Sequence, residues 1–145
     1  MKTFHEVNET FKRIFVTLST KGEAFLSLEF PESPFDGGMT MKVRLNTNKF
    51  MDIRSLSGGE KTMTALALLF AIQEYEPASF YVLDEVDAAL DKRNSERLAE
   101  LINQYTSHAQ YVVISHNDGV IAAADTLFGI SMDEHGVTKV TSLKV

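Results

Sequence analysis

The 145-residue sequence predicts an α/β fold, and three patterns carry that expectation. Phe80-Tyr81-Val82-Leu83 and Tyr111-Val112-Val113-Ile114 are short apolar runs, the pattern of strands buried inside a parallel sheet. A helical stretch separates them, and strand-helix-strand order implies parallel strands flanked by helices. Ahead of both, residues 60–75 form a long apolar helix whose centre is hydrophobic nearly all round, as in a helix buried on several sides.

The elements follow in order. Phe4, Val7, Phe11, Ile14, Phe15 and Leu18 recur at three- and four-residue steps, an amphipathic helix. Ala24, Leu26, Leu28 and Phe30 alternate with more polar neighbours and predict a strand. Pro31, Pro34 and Gly37-Gly38 mark a loop. Met39, Met41, Val43 and Leu45 predict a half-buried strand, Asn46-Thr47-Asn48 a turn, and residues 50–53 a further short strand. The apolar helix should stop before Pro77. Residues 94–105 carry Leu98, Leu101, Ile102 and Tyr105 on one helical face. Residues 120–124 predict a short helix. Residues 126–132 and 137–143 predict a terminal β-hairpin around Glu134-His135-Gly136. There is no internal repeat or linker, so residues 1–145 read as a single domain.

Composition narrows the function. Net charge is −6, against a protein that coats nucleic acid with its whole surface. The charge is uneven: residues 1–61 hold 9 Lys/Arg against 8 Asp/Glu, while residues 62–145 hold 5 against 12. A local basic stretch, Lys42, Arg44, Lys49, Arg54 and Lys61, therefore stands in an acidic chain, either as a solvated strand face or as a contact to phosphates. Cysteine is absent, which excludes disulfides and thiolate metal sites. No apolar run reaches membrane-spanning length and no signal-peptide pattern appears.

The most informative stretch is Leu56-Ser57-Gly58-Gly59-Glu60-Lys61, directly before the apolar helix. Ser57 and Glu60 have capping-box spacing. A cap does not need Gly58 and Gly59, each of which costs up to about 1 kcal/mol against alanine inside a helix. Paired glycines suit a visitor that must approach bare backbone, and exposed N–H groups with the helix dipole favour an anion such as phosphate.

Acids terminate the first apolar strand as Asp84 and Glu85, with Asp87 and Asp91 close behind. In open α/β sheets, ligands sit at the carboxyl ends of strands. There an Asp can hold Mg²⁺ and a following Glu can polarise a water as general base. Four carboxylates in eight residues must splay into solvent or share a cation. His116 ends the second strand and is placed to reach the same phosphate; the plainer readings are a helix cap for the acids and a solvated histidine.

Together these pieces resemble the ABC-type ATPases: Leu56 to Glu60 the signature motif, Phe80 to Glu85 the Walker B strand, Ala89-Leu90-Asp91 the D-loop and His116 the switch histidine. Within them the chain is similar to SMC proteins, the chromosome-organising ATPases. Val86-Asp87-Ala88 follows the acids where transporters have Pro-Thr, and the stretches 124–132 and 136–140 resemble the SMC C-terminus. No Gly-x-x-x-x-Gly-Lys-Ser/Thr occurs. The resemblance thus implies the C-terminal lobe of an ABC-type P-loop ATPase head. On it, residues 1–20 are a coiled-coil return helix and residues 21–145 are the head lobe.

The resemblance implies ATP and Mg²⁺ as cofactors, with Asp84 as metal ligand and Glu85 and His116 as catalytic residues. Ser57, Gly58, Gly59, Glu60 and Asp91 would bind nucleotide across a head–head interface. It implies ATP hydrolysis only when an N-terminal half with the Walker A loop and a second head complete the site, and inactivity alone. Expected partners are that N-terminal half, a second SMC head (a homodimer), a kleisin subunit and DNA, with no membrane. The expected place is the cytoplasm at the nucleoid, and the process chromosome condensation and segregation. The alternatives are the head of an SMC-like double-strand-break repair ATPase and a module used mainly for kleisin docking.

Overall fold

The structure, a computed structural model, describes residues 1–19, 22–45 and 48–144. The expected turn at residues 46–48 lies mostly outside the described residues, as does the 20/21 boundary. Helix α1 (Lys2–Ser19) buries Asn8, Phe11, Ile14, Phe15 and Leu18 along one stripe. Strands β1 (Glu23–Leu28), β2 (Met39–Arg44) and β3 (Met51–Asp52) form an antiparallel sheet in that order. The register puts Ala24 opposite Val43 and Leu26 opposite Met41, and this apolar face seats on α1. One polar contact fixes the seat: the Leu26 N–H donates to the buried Asn8 Oδ1 at 2.7 Å. The strand expected at residues 50–53 is only two residues long, because Asp52 caps a 3-10 turn, Ile53–Ser55, by accepting from the Arg54 N–H at 3.0 Å. Phe30 ends outside β1 and is exposed, since Pro31 has no N–H to continue the ladder.

Helix α2 (Gly58–Tyr75) packs along α1, and the Phe70 ring is fully buried between Tyr105 and Tyr111. It stops where the Glu76 N–H bonds the Ile72 carbonyl just before Pro77. Strand β4 (Phe80–Asp84) pairs in parallel with β5 (Gln110–Ile114) across helix α3 (Lys92–Tyr105). A one-turn helix α4 (Asp118–Ile121) and the antiparallel hairpin β6 (Thr126–Met132) and β7 (Thr138–Lys144) complete the chain.

Two expectations about burial are corrected. The parallel strands are not interior on both faces: Tyr81, Leu83, Tyr111 and Val113 turn toward the core, but Phe80 and Val82 on β4 and Val112 and Ile114 on β5 are exposed. Helix α2 is likewise open along Ala65, Leu69 and Ile72. An apolar run on both faces of a strand calls for two covering layers. Among the described residues, one layer is present.

Candidate functional site

Three backbone turns build the site. At the start of α2, Ser57 is the N-cap with extended φ and ψ of −66° and 165°. The Glu60 carboxylate accepts from the Ser57 N–H at 2.9 Å and from the Ser57 hydroxyl at 2.8 Å, so the side chain at the third helical position holds the cap. The two glycines differ. A Cβ at Gly58 would meet nothing within 4 Å, whereas one at Gly59 would stand 3.1 Å from the Ala89 carbonyl oxygen. Gly58 keeps the helix start open to an outside group, and Gly59 lets the turn after β4 pack against α2.

That turn carries the acids. Asp84 ends β4 opposite Ile114, and its exposed side chain has no hydrogen bond or ion pair with any described residue. Glu85 follows with φ of 47°, a left-handed conformation rare outside glycine and costing about 1–2 kcal/mol. Its N–H donates to the Ile114 carbonyl at 2.9 Å, which pins it to the end of β5. The bend continues through the Ala88 N–H to the Glu85 carbonyl at 3.1 Å and the Leu90 N–H to the Asp87 carbonyl at 2.9 Å. His116 sits two residues past Ile114, exposed and without a hydrogen-bond partner among the described residues. Asp84, Glu85 and His116 thus all lie at the carboxyl ends of the same two strands.

The four acids do not share one point. Asp84 and Glu85 face solvent, Asp87 is buried, and Asp91 caps α3 by accepting from the Asn94 N–H at 2.8 Å. Among the described residues, no group of three or more His, Asp or Glu is placed to hold a metal ion. Mg²⁺ is commonly held by one or two carboxylates, with waters and phosphates completing its shell. Asp84 is placed to be such a single ligand.

Two features had no clear signal in the sequence. Asp87 accepts from the Ser115 hydroxyl at 2.6 Å, a contact between residues 28 apart. On the far side, Arg13 of α1 donates two hydrogen bonds to Glu74 at 2.5 and 2.6 Å, and the Tyr105 hydroxyl donates a third at 2.8 Å. Burial, aided by the Glu74 charge, pushes Tyr105 up to about 12. Burial also raises the Glu74 carboxyl, but the bonds from Arg13 and Tyr105 outweigh it and the net direction is down.

The basic stretch is partly neutralised. Arg44 pairs with Glu23 and lies over the Phe50 ring at 4.9 Å, and Arg54 pairs with Asp52 at 3.6 Å. These partners take up charge that a phosphate contact would need.

Residues 2–139 match the family model for the RecF/RecN/SMC N terminal domain, and the chain belongs to that family. Its relatives within the family are SMC proteins. The chromosome partition protein Smc of Pyrococcus furiosus is 44% identical over 145 residues, all of this chain and 12% of that protein. The Aquifex aeolicus protein of the same name is 40% identical over 144 residues, again 12% of its length. The chain therefore spans about an eighth of the curated relatives it matches. Among solved structures, an Smc head bound to the C-winged helix domain of ScpA superposes with a TM-score of 0.94 at 44% identity, over 100% of this chain and 44% of that one. A chain from a study of ATP-driven dimerization and DNA-stimulated activation of SMC ATPases gives 0.89 at 42% identity, over 99% and 87%.

Proposed function

We propose that this chain is the C-terminal lobe of an SMC ATPase head, completed by an N-terminal half that carries the Walker A loop and active only against a second head. The observation that carries this reading is the contact of Gly59 with the Ala89 carbonyl. It ties the open helix start at Ser57 and Gly58 to the turn that runs from Glu85 to Asp91, which supports a reading in which the N–H donors face another head while the acids serve their own. The exposed apolar residues Phe80, Val82, Val112 and Ile114 support completion by another half-domain.

The residues divide the work. Asp84 would hold Mg²⁺, and that ion would supply charge neutralisation for the phosphates when bound. Glu85, held by the Ile114 carbonyl, accepts a proton from the attacking water, a role that typically contributes about 10²–10⁴-fold. His116 donates to the γ-phosphate. Ser57, Gly58 and Gly59 present their donors to nucleotide on the opposing head, with Glu60 holding the cap, and Asp91 links the two sites across the interface. ATP binding joins the heads and hydrolysis parts them, in the service of chromosome partition at the nucleoid and in contact with DNA. Docking of a kleisin subunit is a second role of the same lobe, favoured by the ScpA domain seated on the similar Smc head.

The test is reconstitution. The chain alone should hydrolyse ATP negligibly, and adding the N-terminal half should restore Mg²⁺-dependent turnover. Ser57→Arg should abolish ATP-dependent dimerisation, read by light scattering in a Glu85→Gln background. Clear turnover by the chain alone, or a dimer undiminished by Ser57→Arg, overturns the reading.

A further inference from the structure

Asp87 is a buried carboxylate with no part in the chemistry above, and its exposure is 4%. Its Oδ2 accepts from the Ser115 hydroxyl at 2.6 Å. Ser115 Oγ in turn accepts from the Asn117 N–H at 3.0 Å. The Asn117 side chain donates to the fully buried Ser95 hydroxyl of α3 at 2.9 Å and accepts from the Gly119 N–H at 3.0 Å. Residues 115 and 117 are therefore both tied inward, to the turn after β4 and to α3. His116 lies between them and is turned out.

We propose that Asp87 is a positioning residue: through Ser115 and Asn117 it fixes the segment after β5 so that His116 stays at the strand ends beside Asp84 and Glu85. The inference rests on the hydrolytic reading for its consequence but not for its geometry. Two neighbouring turns must keep a common frame, because Glu85 is anchored to Ile114 and His116 follows on the same strand. Without the Asp87 acceptor, the Ser115 hydroxyl loses its tie to the turn after β4, and the segment keeps only the backbone of β5 and the Asn117 contacts to Ser95 and Gly119.

The experiment has two arms. In the chain itself, backbone ¹⁵N relaxation reports order at His116, with rigid backbone near an order parameter of about 0.85 and flexible backbone below about 0.6. Asp87→Leu and Ser115→Ala should loosen residues 115–118, and Asp87→Asn, which keeps an acceptor, should preserve their order. In the head completed by its N-terminal half, Asp87→Leu and Ser115→Ala should lower kcat about 10–100-fold with KM for ATP within about twofold, as misplacement of a reacting group does. Asp87→Asn should stay near wild type. Unchanged order at His116 in Ser115→Ala overturns the proposal, and so does a kcat loss that only follows the folded fraction. Should Asp87→Leu fail to fold, Ser115→Ala carries both arms. If the wild-type completed head does not hydrolyse ATP, the hydrolytic reading fails, while the relaxation arm still decides whether Asp87 positions His116.

Discussion

Glu85→Gly is expected to make the chain more stable while removing the group read as its general base. The φ of 47° holds an L-residue in the left-handed region, at a cost of about 1–2 kcal/mol. Glycine escapes that cost but gives up about 0.5–1 kcal/mol in extra freedom of the unfolded chain. The difference is a gain of up to about 1.5 kcal/mol, about 0.75 kcal/mol at the middle of both ranges. No described residue bonds the Glu85 side chain, and the N–H to Ile114 survives the change, so little offsets it. In a chain of this length the gain should raise Tm by about 2–3 °C. Urea unfolding followed by circular dichroism measures it, with Glu85→Ala as the control that removes the carboxylate but keeps the Cβ. A Glu85→Gly chain no more stable than Glu85→Ala would refute the claim that strain is stored at this position.

Alanine at Gly58 meets open space, and at Gly59 it meets the Ala89 carbonyl at 3.1 Å. Gly58→Ala should keep or slightly raise thermal stability, by up to about 1 kcal/mol, while weakening ATP-dependent head association. Gly59→Ala should lower stability, and melting curves in the reverse order contradict the packing described. Tyr105 and Tyr111 are each raised to about 12 from an ordinary 10.0, chiefly by burial. The fold favours their neutral forms, so their contribution is complete below pH 10 and drains away between about 10 and 12. Absorbance titration near 295 nm should show late ionisation in step with alkaline unfolding, and Tyr105→Phe should blunt that loss.

Much of this was legible in local pattern. The stripe of Phe11, Ile14, Phe15 and Leu18 has only one helical reading, and all four side chains are buried. Ser57 and Glu60 announced their hydrogen bond by spacing. Period and capping act over three or four residues, which a sequence displays directly. Burial across the chain is not local. Val82 and Val112 look as interior as Leu83, yet they face outward, because what covers them is not determined by their neighbours in sequence. Asp87 read as one more repelling acid, since its partner Ser115 lies 28 positions away. The glycines looked equivalent in sequence, and only the approach of the Ala89 carbonyl separates their roles.

Among the described residues, seven strands fall into three sheets of three, two and two strands, and no strand is shared between them. The helices α1, α2 and α3, not a common ladder, are what hold the first two together. The third, β6 with β7, has Phe128, Ile130, Met132, Val140 and Leu143 all exposed. Such a ribbon lends little to the stability of the remainder and opens at low free energy. Hydrogen exchange would find it first and the helix bundle last. The molecule is therefore graded: a packed frame that carries Asp84, Glu85 and His116, and an exposed hairpin whose own ladder is most of what holds it.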